Sequence, residues 1–323
     1  MTVKLIAEFC QNHNGNPEIL ARMIEAAAQN GATHAKVQNI YVRSLTFRPE
    51  FESGIEIAGK VHAIRRPYKA EYDRLARLEL PDKTVRRFVQ LCRDNGVIPL
   101  TTCFARCDID EIVDQGFREI KVASYDCASF SLLRELKDRF ERMYVSTGAT
   151  FEDEIEYAAG ILKNKDFTML HCVTIYPTPL EALNLNAMAR LKAYSKSIGF
   201  SDHSSVAKTG TTASKAAIHK GATVVERHFS ILPETETRDG PVSINGAQLA
   251  ELAAFAARSP AEQLLELEAR HAGWKACLGA DIHTLSDAEL SNRAYYRGRF
   301  ASPVTDTTGR TRMVYNWEEV AVK

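Results

Sequence analysis

Eight short apolar runs of strand length, separated by amphipathic stretches of helix length, constrain what this chain can fold into more than any other feature. The runs are Val3–Phe9, His34–Gln38, Ile98–Thr102, Glu119–Ala123, Met143–Ser146, Thr168–His171, Ser197–Phe200 and Thr223–Glu226. They do not alternate polar with apolar residues, so they read as strands buried on both faces, the pattern of a parallel sheet covered by helices. Helical patterns lie between them at Pro17–Asn30, Asp82–Asn95, Asp108–Gln115, Ser129–Arg139, Phe151–Lys163 and Ala207–Lys220, with an eighth helix near Gly246–Arg258. Several end in a glycine stop, as in Asn30-Gly31, Asn95-Gly96, Gln115-Gly116 and Lys220-Gly221, where a left-handed residue closes the last turn. The count of eight predicts a closed (β/α)₈ TIM barrel with a short C-terminal extension rather than an open doubly wound sheet. Polar residues stand at nearly every strand's carboxyl end, where such barrels keep their chemistry.

Two stretches break the rhythm. Residues 40–80 form a connection rich in Arg, Pro and Tyr where barrels allow a few residues, and they read as a lid or substrate-binding element. The expected division is a barrel over residues 1–260, carrying that long loop, and an extension over 261–323. The extension opens on a helical Ala261–Ala272 and finishes in the polar, aromatic segment Tyr295–Trp317.

Lys plus Arg and Asp plus Glu are equal at 41 each, so no global field recruits nucleic acid or an anionic membrane. Seven cysteines are odd in number and scattered, which suits reduced thiols better than a disulfide framework. The Cys103–Cys107 spacing resembles half a zinc site that has no second half. No apolar run is long enough for a signal peptide or a membrane span. The expectation is a soluble, cytoplasmic enzyme with no nucleic-acid or membrane partner.

The chemistry-bearing residues cluster at the strand ends. Ser201-Asp202-His203-Ser204 is echoed by Glu226-Arg227-His228-Phe229, and two imidazoles on adjacent strand tips suit one shared divalent cation. Lys36 and Lys121 sit inside apolar sequence, where an enclosed ammonium needs an anionic partner. With Thr102, Ser146 and Ser201 they suit a phosphate or a phosphate-plus-carboxylate ligand. One inward lysine also leaves Schiff-base aldolase chemistry open. No Gly-x-Gly-x-x-Gly or Walker sequence is present, so nucleotide binding has no motif support.

These residues carry a resemblance. Ile6-Ala7-Glu8 with Asn12-His13-Asn14-Gly15, Lys36-Val37-Gln38, Thr101 to Phe104, Lys121 to Ser124 and Ser146-Thr147-Gly148 are joined by His171-Cys172-Val173-Thr174-Ile175-Tyr176-Pro177-Thr178-Pro179, Gly199 to His203 and Gly221 to Phe229. Together they resemble the sialic acid synthase family, which condenses phosphoenolpyruvate with an N-acylated aminosugar to make nonulosonic acids. The resemblance implies that Lys36, Thr102, Lys121, Ser146 and Ser201 hold phosphoenolpyruvate. It places His203 and His228 at the ligand positions for Mn²⁺ or Mg²⁺, and Glu8, Gln38 and Tyr176 on the sugar. Catalytic roles follow for Glu8, Lys36, Lys121, His203 and His228, and related octulosonate-phosphate synthases use a cysteine near Cys10. A homodimer is implied as well.

The acceptor side departs from the family. Its C-terminal antifreeze-like domain lends an arginine to the partner's sugar, and the residues after Thr284 do not resemble that domain, so it is not expected here. The Ser-Gly-Glu element reads Ser124-Tyr125-Asp126, and the Gly-Pro-Asp element reads Gly240-Pro241-Val242. Ser124 and Asp126 are accordingly expected to meet substrate in altered form. Arg297 and Arg299 in the aromatic tail are expected to compensate for the missing arginine. The reading is a metal-dependent synthase acting on phosphoenolpyruvate and an aldehyde or sugar acceptor. Its rivals are a lysine-dependent aldolase, a synthase acting on a non-sialic aldehyde and a non-catalytic binding module.

Overall fold

The computed structural model of the protein describes residues 3–322. Eight parallel strands form one sheet: β1 (Lys4–Cys10), β2 (His34–Val37), β3 (Ile98–Thr101), β4 (Glu119–Val122), β5 (Arg142–Ser146), β6 (Asp166–Cys172), β7 (Ser197–Asp202) and β8 (Val224–His228). Except between β3 and β4, each pairs with its neighbours in sequence, and β8 pairs back onto β1. The seam between β3 and β4 closes through the single bridge Thr102–Lys121. The predicted barrel is what forms.

Ile6, Leu100, Tyr144, Leu170 and Val224 fill the barrel's inside. A larger apolar layer, including Phe9, Phe88, Phe117, Phe200 and Phe229, lies between the strands and the surrounding helices. Gly199 has a defined purpose in β7. A Cβ there would stand 2.5 Å from the Val224 carbonyl oxygen, so only glycine lets β7 and β8 approach this closely. That approach sets Ser201 and His203 beside Glu226 and His228.

Three elements differ from the sequence expectation. The expected helix Ala207–Lys220 is split into Val206–Thr209 and Thr212–His219, because Gly210 turns left-handed at φ 54°. The connection between β6 and β7, for which no helix was expected, carries a 3₁₀ run, Leu185–Ala193. The tail is more than a polar segment. It contains a helix at Asp287–Tyr296 and a hairpin of Ala301–Thr305 and Thr311–Tyr315.

The 40–80 connection folds as a hairpin (Ile55–Ile57 with Lys60–Ala63) and a helix (Tyr68–Ala76), and it docks on the extension. Phe51, Ala63 and Tyr295 pack together, as do Ile40, Leu45, Leu75, Ala105 and Phe300. The Thr46 hydroxyl donates to the Gly298 carbonyl at 2.6 Å, and the Arg48 guanidinium donates to the Ala294 carbonyl at 2.9 Å. The hairpin end is tied to the barrel in turn: the Asn316 amide donates to the Phe104 carbonyl at 2.9 Å, and Arg106 donates to the carbonyls of Glu318 and Val320. Loop and tail therefore make one roof on the carboxyl ends of β3 and β4. Among the described residues no helix is long and apolar enough to cross a membrane.

Candidate active site

Two lysines enter the mouth of the barrel, Lys36 from β2 and Lys121 from β4, and both are buried. Each is held by a carboxylate. Lys36 pairs with Glu8, whose other oxygen accepts from the Cys10 backbone N–H at 2.5 Å. Lys121 donates to the Ser146 hydroxyl at 2.6 Å and stands 3.9 Å from Glu226. Ser201 donates to the first oxygen of Glu226 at 3.0 Å, and the second, which faces Lys121, has no hydrogen-bond partner among the described residues. Burial pushes the Lys36 amine down to about 8, with Glu226 opposing and Lys121 reinforcing the shift. Burial alone would raise the Glu226 carboxyl, but Lys121 and Lys36 outweigh it and hold the group ionised. Thr102 is buried at the seam beside Lys121. Lys36, Thr102, Lys121, Ser146 and Ser201 thus form one buried, cation-bearing cluster with a carboxylate, Glu226, to which the sequence reading gave no role.

The histidines lie beside this pocket. The rings of His203 and His228 are 5.4 Å apart between centroids, at the carboxyl ends of β7 and β8. Their partners differ. His203 shares a hydrogen bond of 2.8 Å between Nε2 and the Tyr176 hydroxyl, whose ring lies 4.0 Å away. Its Nδ1 faces the Val173 carbonyl at 3.3 Å. Burial, with His228 next, lowers it to about 3. His228 keeps an unpartnered, buried Nδ1, 3.8 Å from the Asp239 carboxylate. Burial lowers its affinity for a proton too, against the pull of Asp239 and Glu226.

Among the described residues, the donors that converge at this point are Cys10, His228 and Asp239, whose ligand atoms all lie within 4.8 Å of one another. Cys10 is aimed there by its backbone. A bulge shifts the β1–β2 register between Glu8 and Cys10, and Cys10 takes a left-handed φ of 48°, a conformation that costs a non-glycine residue about 1–2 kcal/mol. Burial raises its thiol well above the usual value, and Asp239 adds to that. Asp239 was absent from the sequence reading. It stands in a turn beyond β8, and only the fold brings it back.

The remaining residues divide. Gln38 is half-buried just past β2. Ser124 donates to the Cys172 sulfur at 3.3 Å. Asp126 turns away from the imidazoles and accepts from Ser129 and Asn316 at 2.8 and 3.0 Å. Burial raises its carboxyl to about 6, against the bonds from Asn316 and Ser129. Arg297 donates to the Ala128 carbonyl, and Arg299 pairs with Glu71 from the roof helix; both line the space under the roof. Asn12 and His13 are scaffolding: Asn12 donates to the Phe229 carbonyl at 3.0 Å, and His13 accepts from the Gly15 N–H at 3.0 Å.

The NeuB family pattern matches residues 23–263. The chain belongs to the NeuB family. Among its relatives, a pseudaminic acid synthase of Campylobacter jejuni is 28% identical over 304 residues, covering 93% of this chain and 82% of its own. An N,N'-diacetyllegionaminic acid synthase from the same species is 27% identical, covering 76% and 72%. The human N-acetylneuraminate-9-phosphate synthase is 28% identical, covering 82% and 74%. The crystal structure of a sialic acid synthetase from Leptospira borgpetersenii in complex with citrate superposes with a TM-score of 0.68 at 25% identity, covering 84% of this chain and 92% of that one. These relatives are synthases, and this NeuB-family chain is an enzyme of that type.

Asp126 yields a stability prediction. Its folded value of about 6 lies above the ordinary 3.8, so the unfolded chain loses its proton first as pH rises. Stability falls by up to about 3 kcal/mol between pH 4 and 6 and is flat above. Asp126→Asn carries no such penalty. Its melting temperature is expected to match wild type near pH 4 and exceed it above pH 6, in scans at fixed ionic strength; a constant difference at every pH contradicts the burial account.

Proposed function

We propose that the chain condenses phosphoenolpyruvate with an aldehyde-bearing acceptor, an (amino)sugar, to give a 2-keto-3-deoxy acid of the nonulosonic type with release of phosphate. The observation that carries this reading is the pair of buried lysines, ringed by Thr102, Ser146 and Ser201, at the closed mouth of the barrel. Two ammonium groups in a dry pocket suit a small ligand with both a carboxylate and a phosphate. Its arrival replaces internal countercharges that Glu8 and Glu226 now supply. The acids that the relatives are named for synthesising support the same reading.

The bonds balance simply. C3 of phosphoenolpyruvate attacks the aldehyde carbon, water adds at C2, and the C–O bond to phosphate breaks. Lys36 and Lys121 hold the anion and meet the charge that grows on departing phosphate. Glu8, released from Lys36 when the anion binds, stands beside the reacting atoms to take or give the proton of the new alcohol. Glu226 keeps Lys121 in place. Tyr176, through its bond to His203, orients that imidazole.

A divalent ion fits beside this pocket. The orphaned Nδ1 of His228, the thiol of Cys10 and the carboxylate of Asp239 would hold it, with His203 joining once Tyr176 yields Nε2. Bound there, it would supply Lewis acidity toward the acceptor's carbonyl oxygen. A set containing thiol and imidazole suits Mn²⁺ or another first-row ion better than Mg²⁺, which prefers oxygen. The second reading, a Schiff-base aldolase, draws support from the Lys36 amine at about 8. It requires borohydride trapping with pyruvate and no phosphate release.

The direct test is phosphate release from phosphoenolpyruvate across a panel of aldoses and amino sugars; silence with every aldehyde removes the synthase reading. Lys121→Ala is expected to abolish release and also to destabilise the fold, because Glu226 is left buried without its countercharge. Lys121→Met with Glu226→Gln should recover the stability and stay inactive. Turnover near wild type in either variant would clear Lys121 of any role. Because Lys36 loses its proton near 8, kcat/KM for phosphoenolpyruvate is expected to fall about tenfold per pH unit above that point, and a flat profile to pH 10 speaks against Lys36 as an anion holder. Co²⁺ titrated into the metal-free protein is expected to show a thiolate charge-transfer band that Cys10→Ser loses. An identical spectrum in the variant removes Cys10 from the ligand set.

A further inference from the structure

The roof of loop and tail encloses a cavity of about 30 Å³, lined by Ala123, Asp126, Tyr296, Arg297, Arg299 and Asn316 among others. That is room for about two water molecules, and so for one substituent of a ligand rather than a whole sugar. Its walls are aromatic: Tyr125 stacks on Tyr296 at 4.9 Å, and Phe104 meets Phe300 at 5.3 Å.

Three buried polar atoms of its lining residues have no hydrogen-bond partner among the described residues. They are Nε of Arg297, Nε of Arg299 and Oδ1 of Asn316. Asn316 is 1% exposed. It belongs to the hairpin end that is fastened to the barrel through its own backbone carbonyl, which accepts from Leu132 N–H at 3.1 Å. Buried polar atoms are almost always satisfied in folded proteins, so three unsatisfied ones on residues that line a single void point to a ligand group that satisfies them.

Charge decides the class of that group. Arg299 is already paired with Glu71. Arg297 stands 3.9 Å from Glu154 and feels Asp126, which lines the same void. An anion would find both guanidinium charges matched, and the oxygens of Asp126 and Asn316 would repel it. Two N–H donors and one carbonyl acceptor suit a neutral substituent that both accepts and donates, a hydroxyl or a carboxamide.

The location ties this group to the reaction. Residues 123–126 directly follow Lys121 in the chain. Ser124 of that loop contacts Cys172, whose sulfur lies 3.8 Å from Nδ1 of His203. We propose that the cavity is an acceptor subsite, built within one chain by the C-terminal extension, that reads one neutral hydroxyl or carboxamide substituent close to the aldehyde through Arg297, Arg299 and Asn316. The proposal rests on the synthase reading above.

The test uses phosphoenolpyruvate with three acceptors that differ at the carbon next to the aldehyde: N-acetyl-D-mannosamine, D-mannose, and 2-deoxy-D-glucose, which has hydrogen there. Wild type is expected to favour the first two. Arg297→Met, which removes a donor, and Ala123→Leu, which fills the void, are expected to raise the acceptor KM about tenfold or more. That is the worth of one charge-assisted hydrogen bond. Both variants should erase the preference and leave the KM for phosphoenolpyruvate within about twofold. Circular dichroism and melting temperature establish that each variant is folded; using two variants covers the loss of either one. Unchanged acceptor KM and preference in a folded variant overturn the subsite, as does a wild type that binds phosphoenolpyruvate and turns over none of the three. If phosphoenolpyruvate neither binds nor releases phosphate, the synthase reading itself has failed and the subsite falls with it.

Discussion

Everything at the mouth of this barrel depends on two ammonium groups held out of water. A buried lysine without a countercharge gives up its proton or unfolds its surroundings, since the desolvation cost is several kcal/mol per ion. Glu8 and Glu226 prevent that, one from β1 and one from β8, while the lysines come from β2 and β4. The four side chains therefore make sense only if all four strands end at the same height around a closed ring. The glycine that lets β7 and β8 approach, the bulge after Glu8 and the hydroxyls of Ser146 and Ser201 all serve to keep that arrangement compact.

The same charges set the strand tips apart from the roof. The buried cations are concentrated at the strand tips, on rigid backbone. The roof, by contrast, comes from the two segments that interrupt the strand–helix rhythm, the 40–80 connection and the extension after residue 260. Each supplies part of what the other lacks. Glu71 of the loop helix meets Arg299 of the tail, and Arg48 of the loop meets carbonyls of the tail helix. Neither segment packs a core large enough to stand alone, and together they bury Phe51, Tyr295 and Phe300.

Much of this was legible in the sequence because strands buried on both faces leave an unmistakable apolar signature. The eight strands, both lysines, the three hydroxyl-bearing residues and the two histidines follow from that signature and from what stands at its ends. The rest was not legible, for a physical reason. Glu226 was visible at a strand tip, but its role depends on Lys121 across the ring, and such adjacency is tertiary. Asp239 is separated from β8 by a turn without periodicity. Cys10 was marked only by its likeness to a cysteine of related synthases, and the bulge and left-handed φ that aim its thiol belong to the fold. Asp126 sits in a motif that suggested contact with substrate, but that Ser129 and the distant Asn316 hold it under the roof is visible only in the fold. The tail hairpin was hidden because its strands alternate weakly and rest on the barrel.

The seam between β3 and β4 carries one further implication. Seven of the eight strand junctions are continuous ladders, but this one holds by the single bridge at Thr102 and Lys121. The ring is thus fastened at its weakest point by residues that also belong to the proposed anion site. An anion seated across that point ties the two edges together from above. Its binding free energy then counts toward closure of the barrel, and the empty and filled forms differ in how readily the ring opens along one line. The enzyme's clasp and its proposed donor site are one piece of chain.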